Sequence, residues 1–446
     1  MTSRLRVQSA ILLIFSLLPS SFLFTIPKAS ATVNVEQVAT GLEAPWSIAF
    51  ANDGTIYVTE RPGRIRVIRQ GVLQPSPVAT ISVRAVPGDE SGLLGLTLDP
   101  DFDSNRLVYV YYTYTDPRGQ ILNRISRLTE NNGQLGNPQV LMDGIKGASI
   151  HDGGRLKIGP DGRLYATTGD ATNGQLAQNL TSLNGKILRI NLDGSIPSDN
   201  PDPQSPVYSY GHRHPQGLAW DASEHLIASE HGPSGFFPPA CCNDEINLIQ
   251  PGRNYGWPNA YGIAGNPSFA DPILSTGLDT WAPSGMTFYS APNIPEWTGK
   301  FLVATLRGRQ LRVLEISFTP SAQVVSSVAF LSESYGRLRD VVQGPDGFIY
   351  VATSNRDGRG SPNPSDDKIL RITGTAGLPS GSPIFGVIVL YATLAGTTLI
   401  FLFSGVRWFR GRWRSSLASS QRPETWESRS AGLPWSWCSN FPEPQP

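Results

Sequence analysis

Apolar and polar positions alternate in short runs between residues 32 and 373, and a turn bounds each run. Examples are Asn52–Ile68, Pro160–Asp170, Gly299–Ile316 and Pro345–Gly360. A period of two with Gly/Asp turns predicts paired strands, and no long stretch shows the helical period. The units recur at irregular spacing, so they are not a strict sequence repeat.

Composition points to the same fold class. The chain has 45 glycines and 37 prolines, and only 16% of its residues are charged. Many turns and few charges favour an all-β protein. We predict a six-bladed β-propeller over residues 32–373, because radial closure protects the edges of short sheets. An array of β-sandwiches is the alternative.

Both ends of the chain carry segments that we set apart from the fold. Residues 1–31 have two arginines, an apolar stretch and a small-residue Ala-x-Ala site, which is typical of a cleaved signal peptide. An uncleaved N-terminal anchor is the alternative.

Residues 384–403 hold no charge and are long enough to span a bilayer as a helix. They follow a linker at 374–383 and precede a basic, Trp-containing flank within residues 404–446, whose remainder we expect to be a disordered cytoplasmic tail. A buried core helix is the alternative. The positive-inside rule predicts a membrane-anchored protein with its large domain on the periplasmic, extracytoplasmic side.

Net charge and cysteine content bear on nucleic-acid binding and on disulfide bonding. The formal net charge is zero, so we expect no nucleic-acid partner. Cys241, Cys242 and Cys438 are too few for a disulfide framework. A vicinal disulfide between the first two, free thiols, or a bond from one of them to another cysteine all remain open.

The segment His151–Asp170 predicts two strands joined by a Gly-Pro-Asp-Gly turn. A hairpin returns the chain to its starting level, so His151 and Asp170 are candidates to meet at one end. A carboxylate beside a histidine fixes its tautomer and raises its basicity, as a general base requires. A surface histidine with an unrelated turn aspartate is the alternative. The longest interrupted stretch, Gly211–Gly262, is crowded with polar loop residues and is a second candidate for the site.

The order of motifs then identifies a family resemblance. The chain contains, in order, GLEAPWSIAF with TERPGRIRVI, ESGLLGLTLDPDF, HDGGRLKIGPDGRLYATTGD, SLNGKILRI, YGHRHPQGLAWD, SEHGP, DEINLI, NYGWP, APSGMTFY, GRLRDVVQGPDGFIYVAT and DDKILRI. From Val38 to Ile372 it resembles the soluble glucose/sorbosone (aldose sugar) dehydrogenases, six-bladed propellers that use pyrroloquinoline quinone (PQQ). The resemblance implies an aldose oxidised at C1 to its lactone, with electrons passed to a respiratory acceptor, a quinone or a cytochrome.

The resemblance also implies roles for individual residues. His151 matches the catalytic base, Asp170 the carboxylate that orients it, and Arg213 a residue at the reactive carbonyl of the quinone. The positions that match cofactor-binding residues are Glu90, Arg213, His214, Arg307, Arg337 and Arg339. Two calcium sites are implied, one at the carbonyls of Gly232 and Pro233 and one at Glu245 with the Tyr255 carbonyl; oxygen ligands of this kind suit Ca²⁺.

Two positions depart from the family pattern. Glu90 stands where cofactor-using members carry glutamine, and His214 where they carry asparagine. A carboxylate near an anionic cofactor is repulsive unless it is protonated or bridged by a cation. The alternative function is therefore a calcium-dependent recognition propeller that has lost quinone binding. Arg213, Arg307, Arg337 and Arg339 together favour the dehydrogenase, and a calcium-dependent lactonase is disfavoured because no carboxylate cluster surrounds His151.

Overall fold

The structure, a computed structural model, describes residues 32–233 and 242–376. The strands are, in chain order, β1 (Thr32–Ala39), β2 (Pro45–Phe50), β3 (Ile56–Glu60), β4 (Arg64–Arg69), β5 (Val72–Leu73), β6 (Ala79–Thr80), β7 (Leu93–Leu98), β8 (Leu107–Thr115), β9 (Ile121–Asn131), β10 (Gln134–Lys146), β11 (Leu156–Ile158), β12 (Leu164–Thr168), β13 (Lys186–Ile190), β14 (Val207–Tyr210), β15 (Pro215–Trp220), β16 (Leu226–Glu230), β17 (Glu245–Ile249), β18 (Leu274–Ser275), β19 (Pro283–Tyr289), β20 (Lys300–Thr305), β21 (Leu311–Ser317), β22 (Gln323–Phe330), β23 (Leu338–Gln343), β24 (Ile349–Thr353) and β25 (Ile369–Ala376). Two helices of one turn, α1 (Phe102–Asn105) and α2 (Gln175–Gln178), lie between strands in this part of the chain.

These strands form six antiparallel sheets, which are the six blades of a propeller. Blade 1 holds β2–β6, blades 2 to 5 hold β7–β10, β11–β14, β15–β18 and β19–β22, and blade 6 holds β23–β25 with β1. The first strands of the blades (β2, β7, β11, β15, β19 and β23) contact one another in a closed ring. The prediction of an all-β, six-bladed propeller is confirmed. Blade 1 has five strands, whereas each of the other blades has four, because the short β6 also pairs with β4.

The N-terminal strand completes the last blade. β1 runs antiparallel to β25, with Thr32 opposite Ala376 at one end and Ala39 opposite Ile369 at the other. The two ends of the propeller sequence are therefore joined by main-chain hydrogen bonds, which closes the ring without leaving β25 as an open edge. The final strand extends to residue 376, three positions beyond the predicted boundary.

The core lies between the blades. Along β3, Ile56 and Val58 pack into the cluster between blades 6 and 1, whereas Tyr57 packs into the cluster between blades 1 and 2. Successive side chains of a strand point to opposite faces, and each blade is covered on both faces by its neighbours. All five residues of β3 are consequently buried.

A buried ion pair fills part of the central channel. Arg155 Nη1 lies 3.1 Å from Asp340 Oδ1, and both side chains are only 1% exposed. The Arg155 guanidinium also lies 4.3 Å from the ring centroid of Trp46. Asp340 in addition accepts a hydrogen bond from the Ile48 amide, so this pair links β2 and β23 to the start of β11.

The predicted signal peptide, membrane helix, cytoplasmic tail and residues 377–383 of the predicted linker lie outside the described residues, whereas residues 374–376 of that linker belong to β25. Within residues 32–233 and 242–376, no helix is long and apolar enough to cross a membrane.

Candidate active site

The hairpin formed by β11 and β12 brings His151 and Asp170 together. His151 Nδ1 lies 2.8 Å from Asp170 Oδ1, and the two residues are 6% and 2% exposed. The turn at Gly169 depends on its lack of a side chain, because a Cβ there would lie 1.8 Å from the His151 carbonyl oxygen. The meeting of these two side chains follows the hairpin prediction, while their catalytic roles stay a prediction.

Asp170 is held in place from three sides. Its Oδ1 also accepts a hydrogen bond from the Thr172 amide (2.9 Å), and its Oδ2 accepts one from Trp257 Nε1 (2.8 Å). A carboxylate at Nδ1 favours the tautomer of His151 that carries its proton there. Nε2 is then the basic nitrogen of the ring and is free to act on a substrate.

Several of the predicted residues reach this end of the channel because they precede the first strand of a blade. Glu90 precedes β7, His151 precedes β11, His214 directly precedes β15 and Arg337 directly precedes β23. The ring of first strands therefore gathers residues that are far apart in the sequence.

Three imidazoles lie side by side at the site. The ring centroid of His214 is 5.2 Å from that of His151 and 4.9 Å from that of His231. Burial lowers the pKa of His214 well below its ordinary value and that of His231 to about 3. Both rings are therefore neutral at neutral pH. Gln216 Nε2 lies 2.8 Å from His214 Nε2 and fixes that ring.

The Glu90 carboxylate lies beside this cluster. Its Oε2 accepts a hydrogen bond from the His151 amide (2.8 Å) and lies 3.6 Å from His214 Nε2, while its Oε1 lies 2.5 Å from Arg359 Nη1. Burial alone would raise the pKa of Glu90, but the neighbouring His214 and Arg359 lower it well below its ordinary value. Since burial keeps His214 neutral, we attribute the lowering to the guanidinium. Glu90 is thus an ionised and paired carboxylate.

Buried arginines make the site positive. Arg61, Arg213 and Arg339 are 7%, 5% and 6% exposed. Arg339 Nη1 donates to Gln216 Oε1 (3.1 Å), and burial lowers the pKa of Arg339 to about 9. The Nε atoms of Arg213 and Arg339 are buried and have no hydrogen-bond partner among the described residues. Such donors suit an anionic ligand.

Arg337 and Arg307 have different surroundings. Arg337 is half-buried and forms an ion pair with Asp357, with its Nη2 2.8 Å from Oδ2. The same carboxylate oxygen is 3.7 Å from Arg339 Nη2, so Asp357 holds the two arginines next to each other. Arg307 is exposed, and no described side-chain hydrogen bond or ion pair joins it to the other predicted site residues.

The segment around Gly232 is packed against the loop that leads into β17. Gly232 and Pro233 are buried, and the Gly232 amide donates to Asp244 Oδ1 (2.9 Å). A Cβ at Gly232 would lie 1.9 Å from the Cys242 carbonyl oxygen. Cys242 is disulfide-bonded, and its partner lies outside the described residues. A vicinal disulfide between Cys241 and Cys242 therefore stays one of the open alternatives.

Glu245 faces a second carboxylate across the sheet. Glu230 and Glu245 are directly opposite each other on β16 and β17. The side-chain Nδ2 of Asn247 donates to Glu245 Oε2 (3.1 Å) and lies 3.4 Å from Glu230 Oε2. Burial and the charge of Glu230 raise the pKa of Glu245 to about 8. Asn247 Oδ1 is buried without a partner among the described residues. Tyr255, which supplies the other predicted ligand, is buried and its ring stacks on His212.

No group of three or more His, Cys, Asp or Glu side chains in the described ranges is arranged to hold a metal ion. A cation at Glu245 would accordingly need amide and backbone oxygens as well as the carboxylate. A cation at this position would give the Asn247 oxygen a partner and would lower the pKa of Glu245.

Sequence reasoning missed several residues of the site: Arg61, Gln216, His231, Trp257 and Arg359. His231 and Trp257 lie within the SEHGP and NYGWP motifs, so the motifs marked the segments without indicating which side chains reach the site.

The family model for glucose/sorbosone dehydrogenases matches residues 42–371. This chain belongs to that family. Its sequence is 31% identical to the aldose sugar dehydrogenase YliI of Escherichia coli over 74% of this chain and 92% of that protein. The family prediction made from the motifs is confirmed.

Solved structures agree with this placement. The PQQ-bound aldose sugar dehydrogenase of Streptomyces coelicolor is 38% identical, with a TM-score of 0.68 over 77% of this chain and 98% of that chain. A putative oxidoreductase (glucose dehydrogenase) of Thermus thermophilus is 42% identical, with a TM-score of 0.69 over 76% of this chain and 99% of that chain.

Proposed function

We propose that this protein oxidises an aldose sugar at C1 to its lactone, with PQQ as the cofactor and a respiratory carrier as the final electron acceptor. The observation that carries the proposal is the His151–Asp170 pair, whose nitrogen and oxygen are 2.8 Å apart beside buried arginines with free donors. Membership of a family of sugar dehydrogenases supports it. A propeller that only recognises a sugar or a protein would not need buried arginine N–H groups that lack a hydrogen-bond partner among the described residues.

The residues supply the acid–base chemistry. His151 Nε2 accepts the proton of the C1 hydroxyl as the C1–H bond breaks and the lactone carbonyl forms, and Asp170 stabilises the imidazolium. The quinone supplies the two-electron acceptor for the hydride that leaves C1. Arg213 is placed to stabilise negative charge on an oxygen at the site, and Arg337 and Arg339 to hold carboxylates, with the exposed Arg307 as a further contact at the rim.

We also propose two calcium ions. One would be held by the backbone carbonyls of Gly232 and Pro233 next to the cofactor, and the other by Glu245 and the Tyr255 carbonyl. The unpartnered oxygen of Asn247 supports the second site.

The sequence further supports a location outside the cytoplasm. We propose that residues 1–31 direct export and that residues 384–403 anchor the protein in the membrane, so that the propeller lies close to an electron-transport chain. Protease added to intact spheroplasts should then digest the propeller, whereas a cytoplasmic marker protein is spared.

The main proposal is tested by titrating the purified protein with PQQ in excess calcium while the absorbance is followed. A panel of aldoses is then added with an artificial electron acceptor. We expect saturable binding and sugar-dependent reduction of the acceptor, and His151→Ala should lose the reduction but keep the binding. His225→Ala is the matched control, because His225 is a more exposed histidine that pairs with Asp221 and stacks on Phe318, away from the site. Absence of binding at micromolar PQQ by the folded protein would contradict the proposal.

A further inference from the structure

The Glu90 carboxylate occupies a position that should oppose an anionic cofactor. Its Oε2 is hydrogen-bonded to the amide of His151, so the carboxylate lies directly beside the proposed base. Its side chain is 17% exposed and is therefore poorly screened by solvent. An unpaired negative charge here would repel a tricarboxylate and reduce its affinity.

Arg359 is the cation that contacts this carboxylate. It lies 269 positions later in the chain, on the loop between β24 and β25, and its Nη1 is 2.5 Å from Glu90 Oε1. Its Nη2 is 3.4 Å from the Gly88 carbonyl oxygen, and its amide donates to Asp357 Oδ1 (2.9 Å). Asp357 also pairs with Arg337, which is predicted to bind the cofactor. The same short loop therefore orients Arg337 and carries the partner of Glu90.

The other charged or titratable groups around Glu90 do not replace Arg359. His214 Nε2 lies 3.6 Å from Glu90 Oε2, which is longer than a hydrogen bond, and burial lowers the pKa of this ring so that it is neutral. Arg61 uses its guanidinium for the carbonyls of Ser91, Asp89 and Asp357. Among the described residues, Arg359 is therefore the cation that forms an ion pair with this carboxylate.

We infer that Arg359 is a positioning residue that neutralises Glu90 and thereby allows this site to accept an anionic quinone. The inference rests on the proposed function, and it answers how a carboxylate is tolerated at position 90. Arg359 acts through Glu90 and needs no contact with the cofactor or the sugar. The two residues form a unit, in which the arginine is required only because the carboxylate is present.

This dependence can be measured by a double-mutant cycle on PQQ affinity, using isothermal titration calorimetry on the whole protein in excess calcium. Arg359→Gln should weaken binding about tenfold, the effect of one unneutralised charge at a partly buried site. Glu90→Gln should bind at least as tightly as the wild type. Arg359→Gln combined with Glu90→Gln should return to the affinity of Glu90→Gln. Arg106→Gln is the charge-matched control, since Arg106 follows α1 and pairs with Glu130 away from the site.

A purely structural role for Arg359 gives a different result. If the loop merely loosens without this side chain, the double variant stays as weak as Arg359→Gln, and the inference is overturned. Equal affinity of Arg359→Gln and the wild type overturns it as well. Absence of binding by the wild type instead contradicts the proposed function itself. A second readout needs no cofactor: carbon-13 NMR of the apo protein should show the Glu90 carboxyl titrating at higher pH in Arg359→Gln than in the wild type, and an unchanged midpoint would oppose the inference.

Discussion

Replacing Asp170 by asparagine tests the proposed base without changing the size of the side chain. Asp170 accepts hydrogen bonds from His151, the Thr172 amide and Trp257 Nε1. An asparagine has one acceptor oxygen, so one of its two orientations points its NH₂ group at Trp257 and the other points it at His151 and the Thr172 amide. In the second orientation, His151 Nδ1 must accept a hydrogen bond, and the ring proton moves to Nε2. Nε2 is the atom that should accept the proton of the sugar hydroxyl, so a ring protonated there cannot act as the base.

The magnitude follows from what a positioned base contributes. General-base catalysis is worth about 10² to 10⁴ in rate, and we expect Asp170→Asn to lower kcat/KM about 10³-fold, equivalent to roughly 4 kcal/mol of transition-state stabilisation. PQQ affinity should not weaken, since the substitution removes a negative charge from the site. The assay is sugar-dependent reduction of an artificial acceptor by protein saturated with PQQ and calcium.

Asp161→Asn provides the control on the same hairpin. Asp161 lies in the turn at the far end, where its Oδ2 pairs with Arg189. Its replacement should leave kcat/KM within about threefold of the wild type, because Asp161 lies at the opposite end of the hairpin from the base. A loss of less than about tenfold for Asp170→Asn, in protein with an unchanged unfolding midpoint, would refute the role assigned to the pair.

Three further predictions concern stability and metal binding. Arg155→Met leaves a buried carboxylate unpaired in the channel and should lower the free energy of unfolding by about 3–5 kcal/mol in a urea titration; an effect below about 1 kcal/mol would contradict the buried-pair assignment. Burial raises the pKa of Asp152 to about 7 from 3.8, so its protonated form favours the folded state and this contribution is present below about pH 3.8 and lost as the pH rises through about 7. Asp152→Asn should therefore raise Tm at about pH 8 relative to the wild type and change it little at about pH 4, and equal shifts at both pH values would oppose this. Calcium should raise the Tm of Glu245→Gln less than that of the wild type in differential scanning calorimetry, because only the proposed site at the Gly232 and Pro233 carbonyls remains; an equal rise in both would remove Glu245 from the metal site.

The sequence was most informative where structure is local. Alternation and turn residues predicted the strands and the closed all-β fold, and the turn at residues 159–162 was enough to place His151 near Asp170. A hairpin is specified by neighbouring residues, so its geometry can be read from spacing. The stretch from Gly211 to Gly262 was a second candidate for the site, and the structure places its His214 beside His151 and its His231 beside His214.

Contacts between distant segments could not be predicted from the sequence. Periodicity assigns a side chain to a face of its own strand but not to a partner on another blade, so the pairing of Arg155 with Asp340 carried no signal. The same holds for Glu90 and Arg359, which are joined only by closure of the ring. Glu90 therefore looked like an unfavourable charge until its partner was known. The exposure of Arg307 was likewise unpredictable, because blade loops set which arginines turn inward.

The pairing of β1 with β25 has a consequence for how the chain can be rearranged. Thr32 lies opposite Ala376, so the first and last described residues are neighbours at the same edge of blade 6. A short glycine-serine bridge would span that gap, and new termini could be opened in an exposed loop on another blade, such as the one around Gly119 between β8 and β9. Circular permutation of this kind is tolerated when the two ends that are joined are adjacent. The order in which the six blades are encoded is therefore separable from the order in which they are arranged around the channel.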